Sequence, residues 1–225
     1  MMRRLVQFES RMRRVAFAAF ALLCVRESAY AQEPSPYPRV VVDLHGIVPV
    51  FPNDNEQLAD SRFVTGRTPP QLQVGELPGA GFGGRVGVHV YLFKWSAVTF
   101  GVGGEVLAGH SSSTPPEGSS GLVAVSERLS SADGQVSLNF GTGHGWSYLS
   151  GGVGRTQWSI VPAGQSPMAP DIESLPTTNY GGGAHWSIKR HLGFSLDVRV
   201  YEIQPGSTGS PRTRLLVIGA GVFLK

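Results

Sequence analysis

Six histidines and a scatter of serines are the residues of this 225-residue chain whose types could do nucleophilic chemistry. His185 and Ser187 are two apart, so on a strand they would share a face; His110 adjoins Ser111, and His144 is close to Ser147. Ester hydrolysis needs a serine and a base within hydrogen-bond reach, and a third group that orients the base. The sequence assigns no acid to any of these pairs, and among so many serines such neighbours arise by chance. No catalytic residue is assigned. His45, His89 and His185 could be metal ligands, but they fall on separate segments where ligand spacing cannot be set, so neither a metal nor a cofactor is assigned. The glycine-rich runs at 101–104 and 151–154 lie inside strand-like stretches instead of opening helices, which excludes nucleotide binding.

A different chemistry is written into residues 180–203, YGGGAHWSIKRHLGFSLDVRVYEI. Tyr180, Gly182, Ala184, Trp186 and Ile188 alternate with Gly181, Gly183, His185, Ser187 and Lys189. After the polar break Lys189-Arg190-His191, the alternation resumes with Leu192, Phe194, Leu196, Val198 and Val200 on one face. Gly193, Ser195, Asp197, Arg199 and Tyr201 occupy the other. Strict period-2 alternation marks a strand between two environments. Here one environment is greasy throughout and the other holds a carboxylate and a guanidinium two residues apart. Either a water-soluble sheet or a barrel with lipid outside and a polar lumen has this pattern.

The first thirty-one residues read as a cleavable signal peptide, with residues 32–225 as the remaining domain. Arg3, Arg4, Arg11, Arg13 and Arg14 make a basic start, residues 15–25 an apolar run of eleven, and Ala29-Tyr30-Ala31 a small-x-small cleavage site. Eleven residues are too few for a helical span, which takes about 20. Six of the nineteen basic residues and two of the sixteen acids lie in this segment, which leaves thirteen against fourteen. The basic character of the whole chain therefore belongs mostly to the signal and does not argue for nucleic acid. The single cysteine, Cys24, leaves with it, so disulfides play no part in the mature chain.

The remainder is rich in Gly, Ser and Val, with no apolar run long enough for a membrane helix and no convincing amphipathic helix. Alternating segments fall at residues 39–51, 82–95, 97–108, 129–140 and 146–160, in the two arms of 180–203, and at 212–225. The connections between these eight strands alternate in length. Those after the odd strands run to roughly thirty, twenty, eighteen and eight residues, and those after the even strands to three to five. An up-and-down barrel puts all odd connections at one end, and membrane barrels carry short turns inside and long loops outside. A soluble sandwich has no reason to sort its loops in this way. Strands of about twelve residues also suit a tilted membrane crossing of about 9–11 better than the soluble average of about 5–6. The expected fold is all-β: an eight-stranded antiparallel up-and-down transmembrane β-barrel. The run after Leu149, Gly151 and Val153 puts Arg155 on the lipid face, and a bulge near residues 152–154 would repair this.

On this reading Arg39, Asp43, His45, Arg85, His89, Glu105, Asp133, Gln135, Asn139, His185, Lys189, Asp197 and Arg199 point into the lumen, with both signs present. Buried charges must pair, so the lumen is expected to be an interlocked polar plug, with a narrow pore gated by the same pairs as the other possibility. Inward glycines make room for long side chains opposite. Trp95, Phe140, Trp146 and Phe194 beside the short turns, and Trp158, Tyr180 and Tyr201 toward the long loops, are the expected interfacial girdle.

The alternating strands, the glycine-rich hairpin with its short basic turn and the last strand RLLVIGAGVFLK resemble the small outer-membrane β-barrel proteins similar to the transmembrane domain of outer-membrane protein A. The resemblance covers residues 32–225 and specifies architecture more than activity. It implies an outer-membrane location in a Gram-negative-type bacterium, outer-membrane lipid and lipopolysaccharide as surroundings, the barrel-assembly machinery during biogenesis, and a monomer. Such chains commonly end in an aromatic, whereas this one ends Phe223-Leu224-Lys225. The expected role is structural and non-enzymatic, with recognition by the long loops. The alternatives are a lipid A-modifying hydrolase, since some small barrels of that compartment use a Ser/His/acid set, and a secreted lipocalin-like barrel that binds a small ligand.

Overall fold

The computed structural model describes residues 38–115, 117–118 and 121–225; the expected signal peptide lies outside them. Eight antiparallel strands run β1 (Val40–Val50), β2 (Phe82–Trp95), β3 (Val98–Ser113), β4 (Val125–Thr142), β5 (Gly145–Pro162), β6 (Ser174–Lys189), β7 (Leu192–Ile203) and β8 (Thr213–Leu224). Each pairs with its neighbours in sequence, and β1 pairs with β8 from Val42↔Leu224 to Val50↔Leu216, so the barrel is closed. Closure leaves no strand edge with unpaired N–H and C=O groups, the condition for a sheet in hydrocarbon.

Alternation in the sequence becomes alternation in space. Leu196 is 40% exposed and its neighbour Asp197 1%. Val88, Val136, Leu138 and Val198 likewise stand on the outside, while His45, Arg85, Glu105 and Arg199 are buried inside. A soluble barrel that holds a ligand would have the opposite polarity. This exterior is a lipid-facing wall, and the lipocalin-like alternative falls with it.

All three turns at one end have two residues, at 96–97, 143–144 and 190–191, and the four loops lie at the other end. The second and third loops are shorter than expected because β3 to β6 continue past the expected boundaries. β4 and β5 have 18 residues each, against the roughly 9–11 that cross a membrane, so the loop end of the barrel projects beyond the apolar belt. The first loop also contains a short helix, α1 (Glu56–Asp60), which the sequence reading missed; the Asn55 side chain caps it by accepting the Leu58 N–H at 3.0 Å. A second, α2 (Ala169–Ile172), lies in the third loop.

No bulge interrupts β4 and β5, whose register runs unbroken from Val125↔Pro162 to Thr142↔Gly145. Arg155 simply points outward, and its guanidinium donates to the Ser174 carbonyl at 3.1 Å. The register shifts are elsewhere, at Leu92 in β2 and Ile188 in β6, both near the turn end.

Inward glycines lie opposite the largest inward side chains, as at Gly193↔Phe223 and Gly221↔His45 across closely paired strands. A Cβ on Gly221 would lie 2.0 Å from the Leu44 carbonyl oxygen and 2.4 Å from the His45 ring, whereas one on Gly134 would meet nothing within 4 Å. Gly221→Val is therefore expected to destabilise the barrel by about 1–3 kcal/mol through overpacking, and Gly134→Val to leave it unchanged. The urea midpoint of heat-modifiable gel mobility measures both.

Candidate functional site

The lumen gathers the largest cluster of buried ionisable side chains among the described residues, and it is built in three layers. Nearest the turns, Val41, Tyr91, Trp146 and Phe223 form a buried apolar layer. Trp146 stacks on His185 at 4.6 Å between ring centres and meets Phe223 edge-on at 5.2 Å, and its indole N–H donates to the Tyr91 hydroxyl at 3.2 Å. The C-terminal aromatic Phe223 is thus a lumen residue.

The middle layer is ionic. Asp197 accepts hydrogen bonds from Arg85, from the Tyr148 hydroxyl at 2.6 Å and from Arg199 at 3.4 Å. Glu105 accepts from the Tyr201 hydroxyl and lies 3.8 Å from Arg85 and 3.7 Å from Arg199. Two guanidinium groups and two carboxylates thus form a balanced ring. Arg199 donates further to Asn179 and Ser150, each at 2.8 Å. Below the ring, Asp43 gathers three imidazoles: His185 at 2.8 Å, and His45 and His89 at 3.8 Å. Excellent pairing is what lets such charges stay out of water, because removing a partner strands the other.

The upper layer is apolar again, and the sequence reading did not foresee it. Leu107, Leu129, Trp158, Ile160, Ile203, Leu215 and Val217 point inward near the loop end. Leu58, Ala59, Val64, Leu72 and Leu77 of the first loop fold down onto them. The first loop is therefore a plug as well as a surface. Two buried polar contacts anchor this layer: Arg62 donates to Asp171 of the third loop at 3.0 Å, and the Trp158 N–H donates to Glu127 at 2.9 Å.

The expected lumen set needs correction at two positions. Arg39 precedes β1 and is exposed, and Lys189 lies past the shift at Ile188 and is exposed too. Asp43, His45, Arg85, His89, Glu105, Asp133, His185, Asp197 and Arg199 do line the interior. Asp133, however, accepts from Ser131 at 2.7 Å and joins no ion pair among the described residues. Of the expected girdle, Trp95, Phe140, Phe194 and Tyr180 stand on the outer wall. Trp146, Trp158 and Tyr201 do not: all three are buried in the lumen. The unforeseen members Tyr148 and Ser150 are polar side chains on inward positions that the alternation alone would have found, and Asn179 and Ser195 are inward as the alternation around residues 180–203 has them.

None of the expected serine–histidine pairs forms a nucleophile and base. Ser187 donates to the Gly143 carbonyl at 2.9 Å and receives the Lys225 ammonium at 2.6 Å, while His185 bonds Asp43. Ser111 donates to the Ala80 carbonyl, and His144 is exposed in a turn. A fourth pair does form: His45 Nε2 lies 2.5 Å from Ser195 Oγ. Its other ring nitrogen, Nδ1, faces Arg85, which can only donate. Nδ1 is therefore the acceptor and the proton sits on Nε2, so His45 donates to Ser195 and has no lone pair with which to activate it. Among the described residues no group of His, Cys, Asp and Glu has a metal-binding arrangement.

Closure, an apolar exterior and a polar, ion-paired interior define an eight-stranded membrane β-barrel of the outer-membrane type. No family model and no curated protein matches the chain. Among solved structures it is similar to neisserial surface protein A (NspA), with a TM-score of 0.53 and 13% identity over 84% of this chain and 97% of that one. Ail, the attachment invasion locus protein of Yersinia pestis, solved with the heparin analogue sucrose octasulfate, aligns with a TM-score of 0.48 and 11% identity over 82% of this chain and 97% of its own. OprG of Pseudomonas aeruginosa aligns with a TM-score of 0.47 and 12% identity over 85% and 98%. The likeness to NspA supports the fold, not an activity.

Removing Asp197 would leave Arg85 and Arg199 with Glu105 alone. Asp197→Ala is expected to cost about 3–5 kcal/mol, the penalty for an uncompensated buried charge. Asp133→Ala, which breaks only hydroxyl contacts, is expected to cost about 1–2 kcal/mol. Urea unfolding in lipid vesicles would rank the two.

Proposed function

We propose that this protein is a structural, non-enzymatic barrel of the outer membrane whose lumen is sealed and whose loop end is a pre-formed recognition surface. The observation that carries this reading is the pair of apolar layers, Trp146 with Phe223 below and the first-loop plug on Trp158 and Ile160 above, on either side of the ionic ring. Water and ions would have to cross both. On this reading the barrel inserts as a monomer through the assembly machinery and is surrounded by lipid and lipopolysaccharide. Planar-bilayer recordings are expected to show no conductance steps for the wild-type protein; steps of constant size would refute the sealed lumen.

Support for recognition comes from the way the loops are tied together, since an ordered surface loses less entropy on binding than mobile loops do. Glu76 of the first loop accepts from Arg67 at 2.6 Å and from the Val123 N–H of the second at 2.7 Å, and Arg67 donates to the Gly121 carbonyl at 2.9 Å. The Arg62–Asp171 pair joins the first loop to the third. Glu173, which follows α2, accepts from Thr208 and Ser207 of the fourth loop.

The bonds from Thr208 and Ser207 hold the Glu173 carboxyl down at about 2. A folded value below the ordinary one means that the clip contributes fully above the usual glutamate range and loses its contribution only as pH falls through about 2. Slow amide exchange at Ser207 and Thr208 is therefore expected to persist at pH 3 in the wild type. In Glu173→Ala, which has no acceptor, it is expected to be lost at every pH.

A further inference from the structure

A groove of about 540 Å³ runs along the outer wall of β2 to β5, beside the third loop. Its size falls within the range of about 300–1,000 Å³ typical of small-molecule sites. The strand register lays one outward row across it, Phe82↔His110, His110↔Arg128 and Arg128↔Ser159. Ala108, Ser130 and Gln157 form the adjoining row, and Ile172 closes the side. On the same strands, nearer the short turns, the next outward row is Val86, Val106, Ala132 and Arg155, and the row after it carries Val88 and Val153, both exposed and apolar. The groove therefore lies where the lipid-facing belt gives way to polar side chains, at the level of the headgroups on the loop side.

Its charge is one-sided. Arg128 is exposed and forms no ion pair or hydrogen bond among the described residues, and Arg155, two outward positions from Ser159 on β5, has only the Ser174 carbonyl. His110 donates its Nδ1–H to the Glu127 carbonyl at 3.0 Å, which turns Nε2 away from that bond, and its ring meets Phe82 edge-on at 6.1 Å. The one carboxylate in the lining, Asp171, is taken up by Arg62 and by the Ile160 and Met168 N–H groups at 2.9 and 2.7 Å. Elsewhere on the rim the arginines are already neutralised: Arg214 and Arg212 face Glu202 at 2.9 and 3.7 Å.

An unpaired guanidinium calls for an anion, and arginine matches phosphate geometry best. Phe82, 72% exposed, and Ile172, 66% exposed, offer apolar surface on the same groove. Ser130, Ser159 and Gln157 add hydroxyl and amide groups suited to a sugar. We propose that the groove binds a phosphorylated, acylated glycolipid of the outer leaflet, with its phosphate on Arg128, a sugar hydroxyl donating to His110 Nε2 and an acyl chain along Phe82 and Ile172. The assignment rests on the outer-membrane placement proposed above.

The test uses the full barrel in nanodiscs doped with lipopolysaccharide, followed by mass spectrometry of the glycolipid retained per barrel after purification. The wild type is expected to retain it, and Arg128→Gln to hold about tenfold less, the effect of losing one charge-assisted contact. Arg128→Lys is expected to fall between them, and Arg212→Gln to match the wild type. Dephosphorylated glycolipid is expected to bind as weakly to the wild type as phosphorylated glycolipid does to Arg128→Gln. Equal retention by Arg128→Gln, or equal binding of the dephosphorylated form, would overturn the site. Displacement by inorganic phosphate alone at matched concentration would overturn the lipid as its occupant. Each sample is checked by heat-modifiable mobility: a folded barrel without binding refutes the groove, whereas a wild type that does not insert refutes the membrane placement instead.

Discussion

A closed sheet of eight strands encloses a space about as wide as its own side chains, so an inward charge needs an opposite charge or a hydrogen-bond donor within a few ångströms. The ring of Arg85, Asp197, Arg199 and Glu105 meets that condition with two groups of each sign. The rest of the interior follows from the volume the ring needs. Two guanidinium groups and the Tyr148 and Tyr201 rings leave no room for bulk on the facing strands, and Gly181 and Gly183 stand opposite Arg199 and Asp197. Low strand propensity at these glycines costs less than the clash that any side chain there would cause.

What lies above and below the ring answers a different solvent problem. Strands of 18 residues overshoot the bilayer, so the upper barrel has water outside it and cannot draw stability from lipid. There the protein builds a core of soluble type: inward Trp158, Ile160, Ile203 and Leu215 are covered by Leu58, Leu72 and Leu77 from the first loop. At about 25 cal/mol per Å² of buried apolar surface, this is the driving force that orders a loop of thirty-one residues, which polar contacts alone would leave disordered. One chain therefore has an inside-out polarity at membrane depth and an ordinary polarity above it.

The division between these zones explains what could be read from the sequence. Period-2 alternation is a local property, and it placed Asp43, His45, Arg85, Glu105, Asp197 and Arg199 correctly. It would have placed Trp146, Trp158 and Tyr201 too, since each shares parity with an inward neighbour: Trp146 with Tyr148, Trp158 with Thr156 and Tyr201 with Arg199. Assigning them to the girdle weighed their nearness to strand ends above their parity. Lys189 shows the opposite limit, where parity held in sequence but the shift at Ile188 turned the residue out. Arg155 looked like a defect only on the assumption that the whole strand faces lipid. The first-loop plug lay beyond local reading altogether, because Leu58, Val64, Leu72 and Leu77 have no strand or helix period and gain meaning only from the barrel mouth beneath them.

The same zoning bears on where such a barrel can be recognised. The sealed lumen proposed above would remove the interior from function and leave the outer wall and the loop surface. Most of the wall is aliphatic and offers lipid nothing directional. It departs from this in the row from Phe82 to Ser159, where a cation without a carboxylate partner adjoins exposed aromatic surface. An unpaired surface arginine is unremarkable in water, where its desolvation is never at issue. At the edge of hydrocarbon the local dielectric is lower and a phosphate is always at hand, so the same arginine gains a partner from the membrane itself. The loops above are tied to one another by Glu76, Arg62 and Glu173, and Asp171 belongs both to that ties network and to the groove wall. The proposed lipid site and the third loop therefore share Asp171 as a common wall.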